Sequence, residues 1–418
     1  MREFTTRPKS IHRLFIFTAL LTVCATLACQ DRSQPELVGL AVLPADTFVA
    51  GPTSGQFIQA ANGRTPPFVR QQPVQGFSAL LYNRDGSFLV LPDNGFGSLE
   101  NSPDFLLRVY RIVPEFKTAN GGSGRITLAG GFLLRDPDHR IAFTLVADRT
   151  FYPSPGRKVR VDSTIRAGRL LTGADFDPES FRRLPDGTFI FGDEFGPFLL
   201  HTDSTGRVLR PPISLPGVFS PQNPYRGHVP PNLPRSGGFE AMALSPDGLT
   251  LYPMLEKPLR DQPGQVNLYE FDLESMAYTH VDPYQPPYKY RLEPEAVGVT
   301  ELTALDARNF LVIERDAGQG PTARHKKIYR VNLDRLDDQG YLVKTEVVDL
   351  LNLADPHDLS GSGTGVFVFP FETTEALARV DRHTLAITND NNYPFGKGRA
   401  ADAPDHTELI LVRSHLKR

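Results

Sequence analysis

Four glutamates, Glu179, Glu240, Glu301 and Glu375, each open a short apolar run, and the first three recur every 61 residues. Each run passes through a turn containing aspartate into a second apolar run that ends on an acid: Asp193, Glu256, Glu314 and Asp390. A fifth segment, from Phe77 to Asp93, follows the same plan without the opening glutamate. A carboxylate set among apolar residues must find a partner. Converging carboxylates raise one another's proton affinity unless a cation neutralises them. Hard oxygen donors in that number suit Ca²⁺, with Mg²⁺ or Mn²⁺ as alternatives. The expected ligand set is Glu179, Glu240, Glu301, Glu375, Asp93, Asp193, Glu256, Glu314, Asp390 and Asn391, the last from the Asn389-Asp-Asn-Asn392 run. Asp175, Asp177 and Glu179 alternate, so an extended backbone puts all three carboxylates on one face. The Asp-Gly pairs at 85–86, 186–187 and 247–248 read as hairpin turns.

These acids must be positioned by strands. The segments are short apolar runs punctuated by Gly, Pro, Asp and Asn, and the chain carries 35 Gly and 37 Pro. Helical periodicity over a dozen residues is hard to find. A strand–turn–strand unit repeated with an acid at a fixed place is the signature of propeller blades, in which equivalent positions converge on one central channel. The spacing predicts an all-β fold: a single β-propeller of about six four-stranded blades. One blade lies hidden in the 101 residues between Ser78 and Glu179, and Val38–Leu43 completes the last blade. Two packed β-domains are the alternative architecture.

Composition removes several functional classes. Among 418 residues, 45 Lys+Arg face 48 Asp+Glu, a formal net charge of −3 that argues against a nucleic-acid partner. There is no G-x-S-x-G elbow, no H-E-x-x-H helix and no G-x-x-x-x-G-K-[ST] phosphate loop. Arg2, Arg7, Lys9 and Arg13 precede an apolar run from Leu14 to Val23, the layout of an export signal. That run is shorter than a membrane span requires. Thr26-Leu-Ala-Cys29 then resembles a bacterial lipobox, which predicts a signal over residues 1–28, lipidation of Cys29, a tether over 29–37 and a domain over 38–418. Ordinary signal cleavage is the alternative. The lipidated form would sit on the periplasmic face of a membrane, the outer membrane first among them, with a lipid bilayer as its partner. Cys24 and Cys29 are the only cysteines, which leaves no disulfide for the mature domain.

The motifs Asp177-Pro-Glu-Ser180, Gly192-Asp-Glu-Phe-Gly-Pro197, Gly238-Phe-Glu-Ala241, Leu255-Glu-Lys-Pro-Leu259, Val312-Ile-Glu-Arg315 and Asn389-Asp-Asn-Asn-Tyr-Pro-Phe395 run in order through most of the chain. As a set they resemble the phytase-like family described as having esterase-like activity, itself similar to calcium-dependent β-propeller phytases. Ser180 and Ala241 stand where glycine often follows the glutamate. The resemblance implies hydrolysis of a small ester or phosphoester. A divalent cation can activate water without a serine or cysteine nucleophile. Glu179 or Glu240 would then act as general base, and Lys257 and Arg315 would receive the substrate's negative charge. The competing expectation is a non-catalytic, lipid-anchored binding module with a structural metal.

Overall fold

The computed structural model describes residues 1–3, 34–154, 156–414 and 416. The chain divides into two compact units, Met1–Gln34 and Pro35–Arg418. The export signal and Cys29 lie outside the described residues. No helix among those described is long and apolar enough to cross a membrane.

The second unit is a single β-propeller. Among the described residues, two small hairpins lie outside the blades, Phe48–Ala50 with Gln71–Pro73 and Leu353–Ala354 with Val366–Phe367. The main strands form five four-stranded units, the first and last joined where Val42 pairs with Arg125. The first comprises Ala79–Tyr82, Phe88–Leu91, Arg108–Glu115 and Arg125–Leu133, and the second Pro178–Arg183, Phe189–Asp193, Phe198–Thr202 and Ile213–Ser214. The third comprises Ala241–Leu244, Thr250–Met254, Gln265–Leu268 and Tyr288–Arg291, with a small hairpin, Phe271–Asp272 and Ala277–Tyr278, added to its second strand. Gly298–Ala304, Asn309–Arg315, Lys326–Leu336 and Leu342–Asp349 make the fourth. The fifth joins Thr374–Arg379, Thr384–Asn389 and Thr407–Arg413 to the N-terminal strand Glu36–Leu43. In that last sheet Gly39 pairs with Leu411, Ala41 with Leu409 and Leu43 with Thr407. Innermost strands pack against one another from the first blade to the fifth and back to the first, which closes the ring.

Five blades stand where about six were expected. The long stretch before Glu179 supplies the outer strands of the first blade and then an insertion, not another sheet. Leu134 and Leu171 of that insertion are joined by backbone hydrogen bonds to each other and to Leu107, just before the first blade's third strand. The rest holds a 3₁₀ turn, Val146–Asp148, and a short helix, Ser163–Gly168. The Arg135-Asp-Pro-Asp-His-Arg140 run offers no apolar alternation from which to build a strand. Arg169 holds the insertion together, since its buried guanidinium pairs with Asp136 and with Asp148.

The hairpin turns follow from local chemistry. Asp85, Asp186 and Asp247 each accept a backbone N–H two residues on, from Ser87, Thr188 and Leu249. Gly86, Gly187 and Gly248 then take positive φ, a conformation glycine adopts without steric cost. Between blades the core is aromatic and aliphatic: Phe181 and Phe191 stack with ring centroids 5.6 Å apart, and both are fully buried.

Candidate functional site

Strand pairing defines which side chains are equivalent. Ala79, Ser180, Ala241, Glu301 and Ala376 oppose Leu91, Gly192, Met254, Ile313 and Thr388. One residue earlier on the inner strands therefore stand Ser78, Glu179, Glu240, Thr300 and Glu375. Two residues after the opposing positions stand Asp93, Glu194, Glu256, Arg315 and Asp390. In three blades the inner position falls at a register shift: pairing skips from Pro178 to Ser180, from Val299 to Glu301 and from Thr374 to Ala376. An extra residue at such a bulge re-aims a side chain.

The acids of these two sets, together with Asp177, form one cluster in which all but the partly buried Asp93 are buried. Three trios offer one carboxylate oxygen per residue, with all three oxygens within 4.8 Å of one another: Asp93–Asp177–Glu179, Glu179–Glu240–Glu375 and Glu194–Glu240–Glu256. Glu179 and Glu240 are shared and knit the trios together. Asp390 joins through Asp93 and Glu375, whose charges act on one another.

Glycine makes this convergence possible. A Cβ on Gly238 would lie 2.6 Å from the Cα of Glu194, and one on Gly76 would lie 2.0 Å from the backbone nitrogen of Asn391. The inner strands of the first, third and fourth blades thus enter against the acidic loop of the preceding blade, Gly298 meeting Glu256 in the fourth. In the second blade Asp177 occupies the matching place, and its carboxylate accepts the backbone N–H and side-chain amide of Asn94.

Burial dominates the electrostatics. It pushes the carboxyls of Glu179, Glu194, Glu240, Asp93 and Asp390 well above their ordinary range, and neighbouring carboxylates push them further. Burial and then Asp390 raise Glu375 to about 8; burial raises Asp177 to about 7. Arg315 and Lys257 are the cations in contact. Arg315 donates to Glu256 Oε1 at 3.1 Å, and Lys257 lies 2.6 Å from Glu256 Oε2 while donating to the Ser236 carbonyl. Burial opposes the charge on Lys257, but Glu256 and Glu194 outweigh it and hold the ammonium at about 12.

Eight carboxylates thus face two basic side chains. Glu179 Oε2, Glu194 Oε1 and Glu375 Oε2 are buried with no hydrogen-bond partner among the described residues. Orphaned anionic oxygens in a closed space call for protons or a cation. A site of hard oxygen donors fits a divalent cation of the calcium or magnesium type.

Several expected ligands lie elsewhere. Glu301 faces Arg182 in a buried ion pair and accepts the N–H of Leu302 at 2.7 Å, because the bulge gives Thr300 the inward position. Burial still raises its carboxyl to about 7. Glu314 points to the opposite face of its strand, where Tyr290, Lys344 and the backbone N–H of Glu293 hold it and His325 lies 3.2 Å away. Asp193 spends both oxygens on backbone N–H groups, those of Asp177 and Gly196. Asn391 closes a turn by accepting the N–H of Tyr393. Asp175 likewise folds back, onto Val146 and Thr172. Side chains alternate across a strand, so a one-residue slip moves a residue to the other face. Glu194 is the ligand candidate that sequence reasoning missed. Asp93 and Glu194 each lie seven residues after a turn glycine, Gly86 and Gly187, and counting from those turns reveals it.

A family description, esterase-like activity of phytase, matches residues 72–393, from the entry to the first blade through the loop that carries Asp390. The chain belongs to the phytase-like family. An uncharacterized secreted protein of Arthroderma benhamiae is 25% identical over 309 residues, 59% of the phytase-like chain and 59% of the relative's own length. Solved structures show only remote likeness. A luciferin-regenerating enzyme (10% identity, TM-score 0.35) matches 81% of this chain and 92% of its own. The PQQ-bound aldose sugar dehydrogenase of Streptomyces coelicolor (10% identity, TM-score 0.35) matches 91% and 99%. The Cps50 (Swd1) β-propeller domain of Myceliophteria thermophila (13% identity, TM-score 0.32) matches 80% and 96%. At that distance nothing of their chemistry transfers to the phytase-like chain.

Proposed function

We propose that this protein is an exported hydrolase of esters or phosphoesters that works at the acidic cluster with a divalent cation. The observation that carries the reading is the set of orphaned buried oxygens on Glu179, Glu194 and Glu375, converging on the shared carboxylate of Glu240. Glu179, Glu240 and Glu375 would hold the cation, flanked by Asp93, Asp177, Glu194, Glu256 and Asp390. When bound, such an ion supplies charge stabilisation at a carbonyl or phosphoryl oxygen and activates water. The chain's own groups do the rest. Glu179 keeps one buried oxygen without a hydrogen-bond donor, and that oxygen can take a proton from water and return it to a leaving group. Arg315 keeps one buried Nε–H without an acceptor, a donor for a substrate oxygen. Lys257, committed to Glu256 and Ser236, positions the glutamate. The secreted label of the fungal relative supports export.

Burial of seven of the eight carboxylates, all but the partly buried Asp93, favours a second reading, a metal held for stability in a binding module. One experiment separates them: the purified full chain assayed on a panel of carboxyl and phosphate esters, with chelator and with Ca²⁺, Mg²⁺ or Mn²⁺ restored. Turnover lost with chelator and regained with one ion supports the hydrolase. Melting that responds to the ion without any turnover supports the binding module.

A further inference from the structure

A cavity of about 170 Å³ is lined in part by the loops that carry the acidic cluster. Leu99 follows Asp93 and Asn94, Ala174 precedes Asp177, and Phe195 follows Glu194 directly. The insertion that replaces an expected blade supplies Phe143 and Val146, and a later loop supplies Pro224. The lining is mainly apolar, and an apolar cavity of roughly 150 Å³ accommodates a benzene ring. Four polar residues break that surface: Thr144, Arg149, Gln222 and Asp175, whose carboxylate is already held by the backbone N–H groups of Val146 and Thr172. Gln222 Oε1 is buried with no hydrogen-bond partner, an acceptor that awaits a donor. Exposed Arg149 also lines the cavity and makes no ion pair among the described residues.

We propose that this cavity is the specificity pocket of the hydrolase and takes one hydroxylated aromatic ring of the ester, whose hydroxyl donates to Gln222. The inference rests on the hydrolase reading for its purpose, and on the cavity alone for its binding. Apolar walls strip water from a ring but offer a polyphosphate nothing to replace its hydration, so a small phenolic ester fits and a highly charged sugar phosphate does not. Arg149 then serves an anionic group at the rim.

The test is ligand-observed fluorine NMR on the full chain with 4-fluorophenol and 4-fluorotoluene as probes. Wild type should bind the phenol saturably and at least tenfold more tightly than the toluene. Gln222→Leu should erase that preference. Ala174→Phe, which fills the cavity, should abolish binding of both probes while its melting transition still responds to Ca²⁺. If that variant does not fold, Gln222→Leu on a half-buried loop residue still decides the matter. Equal binding of the two probes, or none, overturns the proposal. Activity separates it from the wider reading. Phenol binding without turnover of any ester defeats the hydrolase and leaves the pocket standing. Turnover of methyl and hydroxyphenyl esters at equal kcat/KM defeats the pocket and leaves the hydrolase standing.

Discussion

Glu240 and Glu301 occupy the same place in the sequence repeat and different places in the structure, so replacing each by glutamine gives opposed outcomes. Glu240 belongs to two of the three carboxylate trios, whereas Glu301 lies against Arg182. Cation binding to the native state contributes RT ln(1 + [L]/Kd), roughly 2.7 kcal/mol when the ion stands at a hundred times its Kd. Losing one anionic oxygen from a hard-cation site weakens it. A hundredfold loss of affinity brings the same ion concentration down to its Kd, where the contribution is only about 0.4 kcal/mol. Wild type should therefore gain several degrees of melting temperature on addition of Ca²⁺, and Glu240→Gln should gain about one. Glu301→Gln should keep the full wild-type increment whatever its starting stability. Asp186→Ala, which removes a turn hydrogen bond to Thr188, should also keep it. The measurement is differential scanning calorimetry with and without Ca²⁺, paired with titration calorimetry for Kd. A full increment in Glu240→Gln, or its loss in Glu301→Gln, would show that strand register does not select the cation ligands.

Gly238→Ala should destabilise the fold and weaken Ca²⁺ binding together, because the new methyl meets the backbone of Glu194 at 2.6 Å; unaltered melting and Kd would contradict this close approach. Asp104 is fully buried, and burial raises its carboxyl to about 7, so the unfolded chain ionises it from about 3.8 while the native state resists. Its cost to stability is absent at low pH, grows through the window between those values, and reaches on the order of 4 kcal/mol above it. Asp104→Asn should therefore gain on wild type in urea melts as pH rises from 4 to 8, and a difference independent of pH would refute the assignment. Labelled palmitate should enter the full-length protein in a bacterial host and be absent from Cys29→Ser; an unlabelled wild type would favour ordinary signal cleavage.

The all-β repeat is legible because hairpin chemistry is local. Each Asp-Gly turn announces itself, and the runs beside it are too short and too apolar for surface helices. Glu179, Glu240 and Glu375 are legible for the same reason: each sits at a fixed distance before an apolar run that ends at a turn. What the sequence conceals is register. A bulge adds a residue to one strand without leaving a mark in composition, so the regular spacing of Glu179, Glu240 and Glu301 is a coincidence of loop length. The same slip misplaces Asp193 against Glu194 and Glu314 against Arg315. Cavities are hidden more deeply, since the one beside Phe195 is built by an insertion that spacing mistakes for a blade.

The fifth sheet unites Glu36–Leu43 with Thr407–Arg413, segments at opposite extremes of the folded unit. A chain delivered from its N-terminus therefore carries an unmatched strand throughout its delivery, and that strand finds its main partner only when the last residues arrive. Loop-closure entropy grows slowly with length, so the delay adds little to the free-energy difference and a great deal to the wait. During that wait the strand's open edge is exposed to other chains. Of its eight residues only Glu36 is charged, so charge does little to guard that edge until Thr407–Arg413 covers it.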